Sequence, residues 1–158
     1  VLVVRIDVGA GALAQRLGFQ YADREILAER VATVERHLAR VAQRLPERAE
    51  DFRSATDASD AVILHLWQAV QIVIDLAIAL CVQRNLGTPS SYGDAFERLS
   101  TAGDLDASLA SRLAKAAGLR NLIAHAYEKL DMARVHEAAS NGPADLRAFL
   151  RQARDMLG

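Results

Sequence analysis

Hydrophobic residues recur along this chain at helical spacing almost throughout. From Asp23 onward, Leu27, Val31, Val34, Leu38, Val41 and Leu45 succeed one another at steps of four and three. That pattern draws one apolar seam along a helix of about six turns. Asp23 is suited to cap its start, Pro46 to stop it, and the opposite face carries Arg and Glu and belongs to solvent. After a charged connection over 47–56, a second long helix is predicted for about 59–85, with Gly87 near its C-terminal cap. It is apolar on most sides and therefore reads as the central helix of a bundle. His65, Gln68, Gln71 and Asp75 interrupt it within about a third of the circumference. A polar stripe on a buried helix needs partners, because an unpaired buried group costs about 1–3 kcal/mol.

A turn and a short helix come next, with Ser90 or Ser91 as cap and Gly103 as terminator. A further helix starts near Asp104 or Ser108, carries Leu105, Leu109, Leu113 and Ala117 along one face, and runs into the stretch RNLIAHAY. LDMARVHEAAS reads as one more short helix. NGPADLRAFLRQARDML reads as the last, with Pro143 in its first turn and Leu146, Phe149, Leu150 and Met156 or Leu157 facing inward. The predicted architecture is all-α, an up-down bundle of four to five helices that are mostly antiparallel because their connections are short.

Residues 1–21 differ from the rest, with a β-like start and then Gly9, Ala10 and Gly11. A strand, a glycine turn and a helix would suggest a dinucleotide loop, but Ala14 stands where the third glycine belongs and no βαβ unit continues the pattern. This segment reads as an N-terminal extension or arm, and residues 22–158 as the helical domain. Arg5 and Asp7 interrupt its apolar stretch, so no signal peptide is read.

Composition narrows the function classes. A chain of 158 residues with 51% hydrophobic and 25% charged residues can bury a core of its own. With a net charge of −1, no global field draws it to nucleic acid, so any such contact has to come from a local patch. Cys81, the single cysteine, sits in an apolar run and reads as core packing in a reducing cytoplasm. The longest uncharged stretch, 61–74, is too short to span a membrane. His37, His65 and His136 fall on separate segments and no HExxH or Cys/His cluster exists, so no metal or cofactor is implied.

The chemistry-bearing group is Arg120, His125 and Tyr127 on an otherwise Ala- and Leu-rich helix. On an ideal helix Arg120 and Tyr127 share a face, whereas His125 points about 140° away from Arg120. Either the helix breaks near residue 124 or the groups converge with those of a second copy. Arg offers a permanent charge and a bidentate fork for phosphate. His transfers protons near neutrality. Tyr can hydrogen-bond, stack on a base or accept a modification. Together they suit metal-independent RNA cleavage, although by pattern alone an Arg, a His and a Tyr on an Ala-rich helix are more often satisfied surface or interface groups.

At RNLIAHAY and the adjoining EKLD the chain resembles the R-x-x-x-x-H-x-Y signature of the HepT-like toxins of the HEPN superfamily. AVQIVIDLAIAL resembles that family's second core helix with its internal acid, here Asp75, and the likeness extends over about 23–157. The resemblance implies an all-α bundle that forms a homodimer, with the motif lining a cleft between protomers. It implies the toxin of a bacterial toxin–antitoxin pair, a metal-independent ribonuclease acting on tRNA or mRNA, with a minimal nucleotidyltransferase antitoxin as partner. By position, Arg120 would bind phosphate, His125 would be the acid/base, and Tyr127 would receive AMP. Asn121 and Asp75 would support them. The alternative is a module of the same complex that binds nucleotide or RNA, or acts as a scaffold, without chemistry.

Overall fold

The computed structural model describes residues 22–158, so the expected arm over 1–21 lies outside the described residues. Five α-helices make up the bundle: α1 (Arg24–Arg44), α2 (Asp57–Gln83), α3 (Tyr92–Thr101), α4 (Ala107–His125) and α5 (Met132–Leu157). Short 3-10 turns occur at Ala49–Asp51 and Tyr127–Lys129, and no strand occurs among the described residues.

The seam read on the first helix is the face that α1 buries. Leu27, Val34, Leu38 and Val41 are in the core, Val31 and Leu45 pack against its edge, and the Asp23 carboxylate accepts from the Ile26 N–H as N-cap. The helix α2 begins two residues earlier than predicted, because Thr56 and the fully buried Ser59 form a reciprocal capping box. The other four helices all pack on α2. At 27 residues α2 is long and apolar enough to cross a membrane, yet its core face from Val62 to Cys81 is spent on this packing.

Specific contacts fix the helices against one another. Gln83 at the end of α2 hydrogen-bonds both backbone groups of Ala22, just before α1. Arg147 of α5 grips Glu35 of α1 with two bonds, at 2.8 and 3.0 Å. Phe96 of α3 meets Phe149 of α5 edge to face at 5.7 Å in the core. His136 is a satisfied core histidine, its Nε2 lying 2.7 Å from the Pro46 carbonyl and its ring against Phe52.

Two expectations are corrected. Gly87 is not the cap of α2. Asn85 takes the left-handed conformation at φ +58°, and the N–H groups of Asn85 and Leu86 return to the carbonyls of Val82 and Cys81. That is a Schellman closure with asparagine in the glycine role. Gly87 serves the next turn instead, at φ +87°, where a Cβ would stand 2.9 Å from the Arg98 guanidinium. Gly103 does end α3 as predicted, in the same kind of closure.

The second correction concerns Pro143. The two short C-terminal helices are one helix, and Pro143 sits inside it. Proline there forfeits the N–H bond to the Ala139 carbonyl and crowds that carbonyl. What overrides it is an unbroken buried stripe: Val135, His136 and Ala139 before the proline, then Leu146, Phe149, Leu150 and Ala153 after it. Breaking the helix would take one half of that stripe off the core. Gly142 helps, since a residue without Cβ suffers less in α conformation before proline.

Pro143→Ala should therefore raise stability by up to about 2 kcal/mol, the helix gain being offset in part by a more flexible unfolded chain. Thermal or urea unfolding checks this, and an unchanged or lowered midpoint would show that the ring itself packs usefully.

Candidate functional site

Arg120 lies in the last two turns of α4, half-buried where α4 passes α2 and α3. Its guanidinium carbon sits 5.5 Å from the centre of the Trp67 ring and 5.3 Å from that of Tyr92. Two aromatic rings therefore hold one planar cation, each adding about 0.5–2 kcal/mol according to its desolvation. Arg120 Nε donates to Gln71 Oε1 at 2.5 Å, and Gln71 Nε2 in turn donates to Asp75 Oδ1 at 2.8 Å. Arg120 Nη1 reaches Asn121 Oδ1 at a long 3.3 Å. Two of the four groups in the polar stripe predicted on α2, Gln71 and Asp75, thus connect to the motif arginine.

The Asp75 carboxyl is half-buried and lifted above its ordinary value. Burial is the main cause, opposed by the Gln71 hydrogen bond and then by the charges of Arg30 and Arg120. Asp75 orients Arg120 only through Gln71, a residue that belonged to the stripe but not to the expected site. Trp67 and Tyr92 were likewise not expected. Trp67 could have been noticed one turn before Gln71 on the same helix, while nothing in the sequence marks Tyr92 as a neighbour of Arg120.

His125 is the last residue of α4 and is exposed. Ala126 then leaves the helix at φ −144° and ψ 41°, and Tyr127 starts the 3-10 turn. The break expected near residue 124 therefore exists, at Ala126. No glycine or proline makes it. The segment leading into α5 imposes it, because Leu130 packs on the core and Asp131 caps α5 by accepting from the Ala133 N–H.

The break corrects the shared face read for Arg120 and Tyr127. Tyr127 Oη–H donates to Asp60 Oδ1 at 2.5 Å, at the first turn of α2. Asp60 and Gln71, which hold the two motif residues, are separated along α2 by about 16 Å of helix axis. Arg120 and His125 remain on one straight helix, facing about 140° apart. Within one chain the motif is spread over three places: Arg120 in its aromatic clamp, His125 at the helix end, and Tyr127 on Asp60. Between them lie two exposed apolar side chains, Leu64 of α2 at 46% and Leu122 of α4 at 47% exposure.

Arg120 also walls a cleft of about 600 Å³ between α4 and α5, floored by Leu66, Trp67 and Val70. Arg112, Lys115 and Arg134 stand around it with Glu137 and Asp145. Elsewhere the fold joins two histidines that the sequence left apart. His37 of α1 and His65 of α2 approach with Nδ1 atoms 3.0 Å apart, and burial, then the charge of His65, lowers the basicity of His37. No group of three or more His, Cys, Asp or Glu side chains fit for a metal ion occurs among the described residues.

Comparison with known proteins agrees on one family. The family model described as ribonuclease HepT-like matches residues 34–153. The mRNA nuclease HepT of Shewanella oneidensis is 29% identical over 126 residues, covering 80% of this chain and 94% of that protein. Among solved structures, the tri-AMPylated Shewanella oneidensis HEPN toxin in complex with its MNT antitoxin superposes with a TM-score of 0.76 at 27% identity, covering 84% of this chain and 98% of the other. A toxin–antitoxin complex with AMP-PNP gives the same TM-score at 26% identity, covering 84% and 99%.

The raised Asp75 carboxyl has a sign that can be tested. A folded value above the unfolded one means that the fold disfavours the charged form. Stability is therefore lost as pH rises from the ordinary carboxylate range through the raised value. Asp75→Asn keeps an acceptor for Gln71 and cannot ionise. Its melting midpoint should exceed that of the wild type at pH 7, with the gap closing as pH falls below the ordinary carboxylate range. A gap independent of pH would contradict this account.

Proposed function

This chain belongs to the HepT-like ribonuclease family, and we propose that it is the toxin of a toxin–antitoxin pair that cleaves RNA without metal. The observation that carries the reading is the clamp on Arg120. An arginine held against the rings of Trp67 and Tyr92 and bonded through Nε to Gln71 is restrained in its position, with its Nη atoms outside the Gln71 bond. A fixed guanidinium is suited to bind a scissile phosphate and to stabilise the charge that builds on it. His125, exposed at the end of α4, is the proton-transfer group. It takes the proton of a ribose 2′-OH as that oxygen attacks phosphorus, or delivers one to the departing 5′-oxygen.

Because Arg120 and His125 diverge on their helix, the reading needs a second copy. In a symmetric dimer, Arg120 of one protomer and His125 of its partner can line one cleft. Leu64 and Leu122, exposed between the motif residues, supply apolar surface for such a contact. Asn121 and Asp75 serve as supports, Asn121 at the guanidinium directly and Asp75 through Gln71. The RNA is an mRNA or tRNA, the former being what the relative from Shewanella oneidensis is named for. The chain acts in the cytoplasm beside a nucleotidyltransferase antitoxin. Tyr127, exposed on its turn, accepts AMP from that partner, as the AMP-bearing relative in complex with its antitoxin suggests. Added phosphates place negative charge where the RNA backbone would sit, and so silence the toxin.

Incubating the protein with total RNA in EDTA tests the assignment. Wild type should cleave, and His125→Ala should lower the rate by about 100-fold or more while keeping the fold. Absence of cleavage by the wild type, or equal cleavage by both, sinks the nuclease reading and leaves the binding or scaffold role.

A further inference from the structure

The contact between Tyr127 and Asp60 is not required by the cleavage chemistry, and it joins two elements that the packing alone would leave apart. Tyr127 Oη–H donates to Asp60 Oδ1, while the tyrosine is 42% exposed and Asp60 is itself exposed in the first turn of α2. The phenol is pushed up to about 12, first by burial and then by the hydrogen bond and charge of Asp60. A phenol so held is not ionised at neutral pH. Any bond made at Oη therefore needs a neighbour to take the proton as the bond forms. His125 stands two residues away, at the end of α4, and the hydrogen bond of the hydroxyl goes to Asp60 and not to it. The group that touches it is the Asp60 carboxylate.

We propose that Asp60 is the catalytic proton acceptor when Tyr127 attacks a nucleoside triphosphate. The inference rests on the reading of Tyr127 as the AMP acceptor. In the step, Oη forms a bond to the α-phosphorus and the bond from that phosphorus to the bridging oxygen breaks. Pyrophosphate leaves with the electron pair, and the phenolic proton passes to Asp60. Exposure of Asp60 lets that proton go on to solvent. The modified tyrosine has no hydroxyl left to donate, so the tie between the 3-10 turn and α2 is lost. The new phosphodiester also stands beside a carboxylate of its own sign, which pushes it outward. The toxin chain thus carries part of the machinery of its own modification.

The experiment uses the full chain with its nucleotidyltransferase partner and ATP, with AMP addition tracked by intact mass against time and pH. Asp60→Asn should slow addition by about 100-fold with unchanged binding to the partner. Its residual rate should climb with pH as solvent hydroxide takes over, where the wild-type rate is flat near neutrality. Asp60→Glu should recover part of the rate. Asp57→Asn, an exposed acid one turn earlier without contact to Tyr127, should match the wild type. An unchanged rate in Asp60→Asn, a slower rate with an unchanged pH profile, or a loss explained by failed partner binding would each overturn the inference while leaving Tyr127 the acceptor. A wild type that gains no AMP mass overturns the acceptor reading, and this inference with it.

Discussion

The burial of α2 against four neighbours is the constraint on which the rest of the bundle depends. A helix covered on most sides can carry polar groups only where another element brings a matching partner. Gln71 and Asp75 are such groups, and the element that meets them is α4 with Arg120. The motif arginine therefore does two things at once. It bonds Gln71, and through it Asp75, on the central helix, and it lies against the rings of Trp67 and Tyr92. The charge of Arg120 is held in place by the same contacts that join α4 to α2 and α3.

The motif residues differ in how tightly they are held. Arg120 bears a charge that does not titrate, so it can be stacked and half-buried without losing it. His125 stands exposed where α4 ends. Tyr127 has left the helix altogether and leans on the opposite end of α2. One short helix segment and one turn thereby set Arg120, His125 and Tyr127 apart, the α2 partners of Arg120 and Tyr127 being separated by about three helical turns.

Much of this could be read in the sequence. The seam from Leu27 to Leu45, the capping by Asp23 and the closure at Gly103 are local rules, and they hold. Pro143 misleads because a local rule for helix ends loses to the buried stripe on either side of it. Gly87 misleads because Asn85 reaches the left-handed region first. At the site, Arg120, His125 and Tyr127 stand out as rare polar types in an apolar setting. Their partners do not. Trp67, Tyr92 and Asp60 are ordinary residues until the bundle brings them to the motif, and that proximity is tertiary information. The break after His125 has no glycine or proline to announce it, since it is imposed by the docking of Leu130 and the cap at Asp131.

Cys81 reads as core packing, and the fold keeps it there. It is fully buried, its thiol points at the Ala95 carbonyl, and burial pushes its acidity to about 11. A thiol so placed is slow to meet maleimides, methanethiosulfonates or oxidants. Since the chain has one cysteine, it is in effect already free of reactive thiols. A cysteine introduced at an exposed position such as Leu64 would then be the sole thiol open to label. Spin or fluorescent probes, or a cross-link between two copies, could be placed on the protein without first stripping its core.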